Sequence, residues 1–181
     1  MFKLIPLESG LNDVTGFFCG ATNVGMRTNP VNSGVSDVDG DVAFIRSEAP
    51  CDISSVFTSN TFQAAPIKHY QKYPKDFQTN FLLINAKNAN AMTGDKGIED
   101  IDSIMSTLSV KQNVLNPVMS STGVIGYRLP VDKITSAFGT LDFNASNTHE
   151  PPRASMTTDS FKKEFAYTVE LEDGHSLNIA A

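Results

Sequence analysis

The sequence holds few of the residues from which common active sites are assembled. Its two cysteines, Cys19 and Cys51, lie far apart with no second member of a metal pair near either. A chain of 181 residues has no need of a disulfide staple, so both read as small buried apolar residues. The three histidines, His69, His149 and His175, stand at no ligand spacing from another His, Cys or carboxylate, which argues against structural zinc and against a histidine base. Lys and Arg number 14 against 20 Asp and Glu, a formal charge of −6 without any basic cluster, so nucleic acid is excluded as a partner. Apolar runs are too short to cross a bilayer, and Pro6 and Glu8 interrupt the opening Met1-Phe2-Lys3-Leu4-Ile5 before a signal-peptide core forms. The expected address is cytoplasmic, with no membrane partner. No Gly-x-Gly-x-x-Gly, no Gly-x-x-x-x-Gly-Lys-Ser/Thr and no Gly-x-Ser-x-Gly occurs, so nothing points to a nucleotide cofactor or a serine elbow.

What is present is the composition of a folded globule, 40% hydrophobic and 19% charged, which sets aside disorder. Without repeats, low-complexity tracts or linkers, residues 1–181 read as one domain. Turn signals at Asn29-Pro30, Asn32-Ser33-Gly34 and Asp39-Gly40 separate the expected strands Phe17-Phe18-Cys19 and Asp41 to Ser47. Ile53 to Thr58 reads as a further short strand, and Pro66 opens a helix that Pro74 stops after Tyr73. The run Phe81 to Ala86 is an interior strand. Ile98, Ile101, Met105 and Leu108 recur at helical spacing, with Glu99, Asp100 and Asp102 placing negative charge in the first turns of a helix over about 97–109. Val114 to Met119 is the next strand, and Pro130 starts a helix with Val131, Ile134 and Phe138 inward. Asn144 to Pro152 reads as an exposed loop. Phe165, Tyr167, Val169 and Leu171 alternate with polar partners up to Asp173-Gly174, predicting a hairpin with one buried face that continues through Leu177 and Ile179. The fold class is therefore α/β, a layered mixed sheet with flanking helices.

Three loops are rich in hydroxyls and amides: Asn85 to Gly97, Ser120 to Gly126, and Met156 to Ser160 after Arg153-Ala154-Ser155. In a partly parallel sheet such loops gather at one edge, the usual place for a ligand. The segment Val114 to Gly126 is the most suggestive, because an apolar run empties into small hydroxyl residues and two glycines. Its exit leaves backbone N–H groups uncovered, the kind of donors that hold an oxyanion. On pattern alone, each loop is equally a turn or a cap, with the Asn cluster capping its own backbone and Thr157-Thr158-Asp159 capping a helix or turn.

Four ordered motifs carry a resemblance: Val56-Phe57-Thr58-Ser59-Asn60 with Ala64-Ala65-Pro66; Asn85-Ala86-Lys87-Asn88-Ala89-Asn90-Ala91-Met92-Thr93-Gly94; Ser121-Thr122-Gly123-Val124-Ile125-Gly126 with Leu129-Pro130; and Met156-Thr157-Thr158-Asp159. In order and approximate spacing, from Gly16 onward, the chain resembles the glutamate N-acetyltransferase family, also called ornithine acetyltransferases. The resemblance implies transfer of acetyl from N-acetylornithine to glutamate in arginine biosynthesis; some members also acetylate glutamate from acetyl-CoA. It implies a self-processing architecture of the N-terminal-nucleophile type. The precursor cuts itself before a threonine, and the new N-terminal threonine of the β chain is the nucleophile, activated by its own α-amine. It assigns Thr122 and Gly123 as the oxyanion-hole pair and Thr157 as a contact to the amino-acid substrate. It implies an α₂β₂ assembly; from the missing motifs and ligand spacings, no metal and no cofactor are expected.

Two features depart from the family pattern. The cleavage stretch, Lys-Gly-x-Gly-Met leading to Ala-Thr-Met-Leu, is not found up to Ala181, and Ala21-Thr22 sits in the wrong context. The chain thus reads as an α-chain portion that depends on a β chain for its nucleophile. Lys87 stands where the family more often has Gly, and Met92 where Cys is common. Two other functions remain open: a self-processing aminopeptidase of the same fold, and a non-catalytic assembly module.

Overall fold

The computed structural model describes residues 2–8, 10–26, 40–146, 150–157 and 161–181. The turn signals at Asn29-Pro30, Asn32-Ser33-Gly34 and Asp39, together with His149, Thr158, Asp159 and Ser160, lie outside the described residues. Strand β1 (Lys3–Leu7) and a 3-10 turn at Gly10–Asp13 precede β2 (Phe17–Thr22) and β3 (Val42–Asp52). Helix α1 (Ala65–Tyr70), strand β4 (Gln78–Asn85), helix α2 (Gly94–Lys111) and strand β5 (Val118–Ser121) follow. Helices α3 (Val131–Ser136) and α4 (Glu150–Ser155) then lead to β6 (Ala166–Glu170) and β7 (Ser176–Ala180).

These strands form two sheets. The larger runs β2-β3-β4-β5, antiparallel except for the parallel pair β4–β5, which the crossover helix α2 makes possible. The smaller is antiparallel in the order β1-β6-β7. Val42 and Phe44 of β3, Phe81 and Leu83 of β4 and Met119 of β5 share one face of the larger sheet. There they meet Ala65 of α1, Ile101, Ile104, Met105 and Leu108 of α2 and Ile134 of α3. Burying a side chain such as Ile104 or Leu108 contributes about 1.5–3 kcal/mol, and Phe44, Phe81 and Phe143 fill the centre with rings 5.0–5.9 Å apart. The expected mixed, layered α/β organisation is present.

Several boundaries differ from expectation for local reasons. Residues 53–58 form no strand: β3 instead extends to Asp52, with its register shifted between Arg46 and Cys51, and Val56 is fully exposed. Strand β5 begins only at Val118, after Pro117, which has no N–H to give a ladder. Helix α1 ends at Tyr70 and continues as turns. Within the expected 144–152 loop, α4 starts at Glu150, because Pro151 and Pro152 occupy a first turn where missing N–H groups leave no bond unmade. None of the acidic residues expected at the start of α2 falls in its first turn, which begins at Gly94 and holds Asp95; Asp100 and Asp102 make tertiary pairs instead. The 165–180 hairpin forms, but its expected buried face does not. Phe165, Leu171, Leu177 and Ile179 are exposed, and only Ala166 and Val169 are buried.

Strand β1 shows no strong alternation in sequence. It pairs with β6 through Lys3↔Glu170 to Leu7↔Ala166, and Pro6 is tolerated because β1 is an edge.

Candidate active site

The parallel strands β4 and β5 end side by side, Asn85 opposite Ser121, and the chain leaves both at the same sheet edge. The two exits remain paired beyond the strands. Thr122 N–H donates to Asn85 O (3.0 Å), Val124 N–H to Lys87 O (3.1 Å), Ala89 N–H to Val124 O (2.9 Å) and Gly126 N–H to Ala91 O (2.8 Å). This pairing brings the 120s turn very close to the 80s loop. A Cβ on Gly123, whose φ is +136°, would lie 2.5 Å from Asn88 N, 2.6 Å from Lys87 Cα and closer still to the Lys87 carbonyl carbon. Only glycine fits there.

The alternation of that pairing leaves the Gly123 N–H over, beside the Thr122 hydroxyl. Thr122 uses its N–H on Asn85 O and Val124 uses its own on Lys87 O, while Gly123 lies between them. Among the described residues neither the Gly123 N–H nor the Thr122 hydroxyl has a hydrogen-bond partner. Gly123 is exposed and Thr122 half-buried, so both are accessible to an incoming oxygen. The lip beyond them is apolar and exposed, formed by Met92, Val124, Ile125 and Tyr127.

Three buried asparagines hold the turn in place. Asn85 accepts a 2.6 Å bond from Ser121 Oγ and donates to Ala86 O (3.2 Å) and Asn88 O (2.8 Å). Asn88 Nδ2 reaches across to Tyr127 O (3.2 Å) and Arg128 O (2.9 Å), while its Oδ1 accepts Asn90 N–H (2.8 Å). Asn90 donates to Gly97 O in α2 (2.9 Å) and its carbonyl accepts Ala65 N–H (3.1 Å). At the end of the turn, the Arg128 Nε donates to Asp100 Oδ2 (2.8 Å) and its Nη2 pairs with Oδ1. That hydrogen bonding raises the Arg128 pKa and keeps the guanidinium charged. Lys87, Asn90 and Met92 all have positive φ (72°, 47° and 61°), so the 85–94 loop is held in a shape its side chains do not prefer.

The third expected site residue, Thr157, follows α4 and is half-buried. Helix α4 is anchored to β2 by Glu150, whose Oε2 accepts Ala21 N–H at 2.9 Å. Lys87 then links the regions: its backbone packs on Gly123, and its Nζ donates to Met156 O at 2.9 Å, one residue before Thr157. The asparagines and Lys87 were not expected to have these roles. The Asn run reads in sequence as a turn former; the bonds of Asn85 to Ala86 and Asn88 and the Asn88–Asn90 bond are of that local kind, whereas those of Asn88 to Tyr127 and Arg128 and of Asn90 to Gly97 are not.

Other reactive side chains lie away from the turn or are unreactive. Burial, with Glu150 and Glu164 adding to it, pushes the Cys19 thiol up to about 11, so it is protonated at neutral pH. His69 is buried at the opposite end of β5, its Nε2 3.3 Å from Asp102 Oδ1, beside Lys72 and Tyr73, which hydrogen-bonds Pro117 O. Among the described residues no group of His, Cys, Asp or Glu gathers as a metal site, and no helix is long and apolar enough to cross a membrane.

Fold and site together define a mixed α/β protein in which two parallel strand exits, locked by asparagine amides, present an accessible hydroxyl and backbone N–H on a glycine turn. The chain belongs to the ArgJ family, whose sequence model matches residues 27–181. It is 44% identical over 182 residues to the arginine biosynthesis bifunctional protein ArgJ of Wolinella succinogenes, an alignment covering 100% of this chain and 44% of that protein. It is 36% identical to the protein of that name from Dehalococcoides mccartyi, covering 91% of this chain and 40% of the relative. The chain thus spans less than half the length of these curated relatives. The crystal structure of arginine biosynthesis bifunctional protein ArgJ from Bacillus halodurans superposes with a TM-score of 0.85 at 25% identity, over 99% of this chain and 92% of that one. That of ornithine acetyltransferase from Mycobacterium tuberculosis, complexed with ornithine, shares the fold with a TM-score of 0.74 at 24% identity, over 100% and 94% of the two chains.

Proposed function

We propose that this chain is the oxyanion-holding half of an acetyltransferase that moves acetyl from N-acetylornithine to glutamate in arginine biosynthesis. One observation carries the reading: between the engaged amides of Thr122 and Val124, the Gly123 N–H and the Thr122 hydroxyl are left without partners among the described residues. Family membership supports it, as does the likeness to an ornithine acetyltransferase. In this proposal a β chain, released from the same precursor by self-cleavage, supplies an N-terminal threonine. Its hydroxyl attacks the acetyl carbonyl of N-acetylornithine, its α-amine takes the proton, and the carbonyl oxygen becomes an oxyanion held by Thr122 and Gly123. The C–N bond then breaks, the proton passes to the departing ornithine amine, and an acetyl-threonine ester remains. Glutamate attacks that ester through its amine, forming the second oxyanion in the same place; its collapse breaks the ester C–O bond, releases N-acetylglutamate and returns the amine's proton to the threonine hydroxyl. Each donor contributes about 3 kcal/mol of transition-state stabilisation. Thr157 contacts the amino-acid substrate.

The proposal further takes residues 1–181 as one domain of a cytoplasmic α₂β₂ enzyme, with acetyl-CoA as a second acetyl donor to be tested. Product analysis on the complete enzyme decides between readings. N-acetylglutamate formed from N-acetylornithine only when glutamate is present supports the transferase. Acetate release independent of glutamate indicates a hydrolase of the same fold, and no turnover with either indicates an assembly module.

A further inference from the structure

We infer that Lys87 is a positioning residue that tethers the segment carrying Thr157 to the oxyanion turn; the inference rests on the reading of that turn given above. Lys87 is bonded at both of its ends. Its main chain lies directly against Gly123, and its carbonyl accepts the Val124 N–H at 3.1 Å. Its ammonium donates to Met156 O at 2.9 Å. That carbonyl lies just past the last turn of α4, where carbonyls have no intrahelical partner and the helix end is partially negative, so a lysine ammonium suits it. Glu150 holds the start of α4 on β2, and Lys87 ties the segment after its end to the oxyanion turn.

The backbone at this position argues that the side chain matters. Lys87 sits at φ +72°, a conformation that glycine adopts freely and lysine does not. A residue held against its backbone preference at a candidate site points to a role for what glycine would lack. The same fact supplies a clean test, because Lys87→Gly relieves the backbone while removing the tether. Lys87→Arg keeps a cation that can reach the carbonyl.

In the complete enzyme, Lys87→Gly is expected to melt no lower than wild type and to keep kcat within about twofold. It should raise KM for the amino-acid substrate about tenfold as the charge-assisted hydrogen bond to Met156 O is lost. Amide hydrogen exchange at residues 155–157 should quicken, and Lys87→Arg should restore both KM and exchange. Unchanged exchange, or unchanged KM with faster exchange, overturns the inference. So does a fall in melting temperature in Lys87→Gly shared by Lys87→Met, which marks a purely structural residue. Wild-type enzyme that transfers no acetyl refutes the proposed function instead, and exchange at 155–157 then decides the tether alone.

Discussion

Replacing Gly123 with alanine is the sharpest perturbation of the candidate site. The added methyl would meet the Asn88 nitrogen at 2.5 Å and Lys87 Cα at 2.6 Å, where ordinary contact begins at 3.4 Å, so the paired loops must separate by roughly 1 Å. Backbone cannot rotate aside as a flexible side chain does. Overpacking of this kind costs about 1–3 kcal/mol, and the positive φ adds about 1–2 kcal/mol for any residue with a Cβ. At roughly 2–4 °C per kcal/mol, the variant should melt about 4–20 °C lower. Activity should fall further than stability predicts, since a 1 Å displacement of a catalytic donor costs about 10²-fold or more. Gly126→Ala is the matched control: Gly126 also has a positive φ, 85°, but a Cβ there meets nothing within 4 Å. Initial rates of N-acetylglutamate formation, measured well below the melting temperature of both variants, should drop at least about 10²-fold for Gly123→Ala and little for Gly126→Ala. Wild-type turnover in Gly123→Ala, or equal loss in both, would refute the reasoning.

Two further substitutions test the support of the site and the remainder of the fold. Asn85→Ala removes a fully buried amide and strands Ser121 Oγ, Ala86 O and Asn88 O. It should destabilise by about 3 kcal/mol in urea unfolding, and a loss under about 1 kcal/mol would show that these bonds are not holding the turn. Burial lowers the His69 pKa below its ordinary value, an effect that Asp102 opposes without cancelling. The folded state therefore holds His69 neutral more strongly than the unfolded state does. Its contribution to stability is present above about pH 6.5 and is lost as pH falls from there through the folded-state pKa. Melting temperature followed from about pH 7.5 to pH 5 should decline, and decline less in His69→Gln; parallel profiles would contradict this.

Much of the architecture is legible in the residues, and the failures share a cause. Helix α2 and strand β4 were readable because Ile98, Ile101, Met105 and Leu108, and the run Phe81 to Ala86, carry their burial pattern locally. Strand β1 was not, since it pairs with β6, at the far end of the chain. The hairpin's location follows from alternation, but alternation does not say whether anything covers its apolar side chains, and Leu177 and Ile179 lie exposed. At the site, the emptying of an apolar run into Ser121-Thr122-Gly123 marks the turn. What makes it a site are bonds from Asn85 to Ser121, Asn88 to Arg128, Arg128 to Asp100 and Lys87 to Met156, each spanning 28 to 69 positions. No local pattern encodes such partners, so an asparagine cluster reads as a turn former until the fold shows what its amides reach.

The central claim concerns where the acetyl group sits and what holds its oxyanion. The complete enzyme should be mixed with N-acetylornithine in the absence of glutamate, and the acetyl-enzyme followed by mass spectrometry of each chain. The account predicts acetyl on a threonine of the second chain, none on residues 1–181, and formation about 10²–10³ slower in Thr122→Ala with unchanged melting. Acetyl on a residue of this chain, or an undiminished rate in Thr122→Ala, would contradict it.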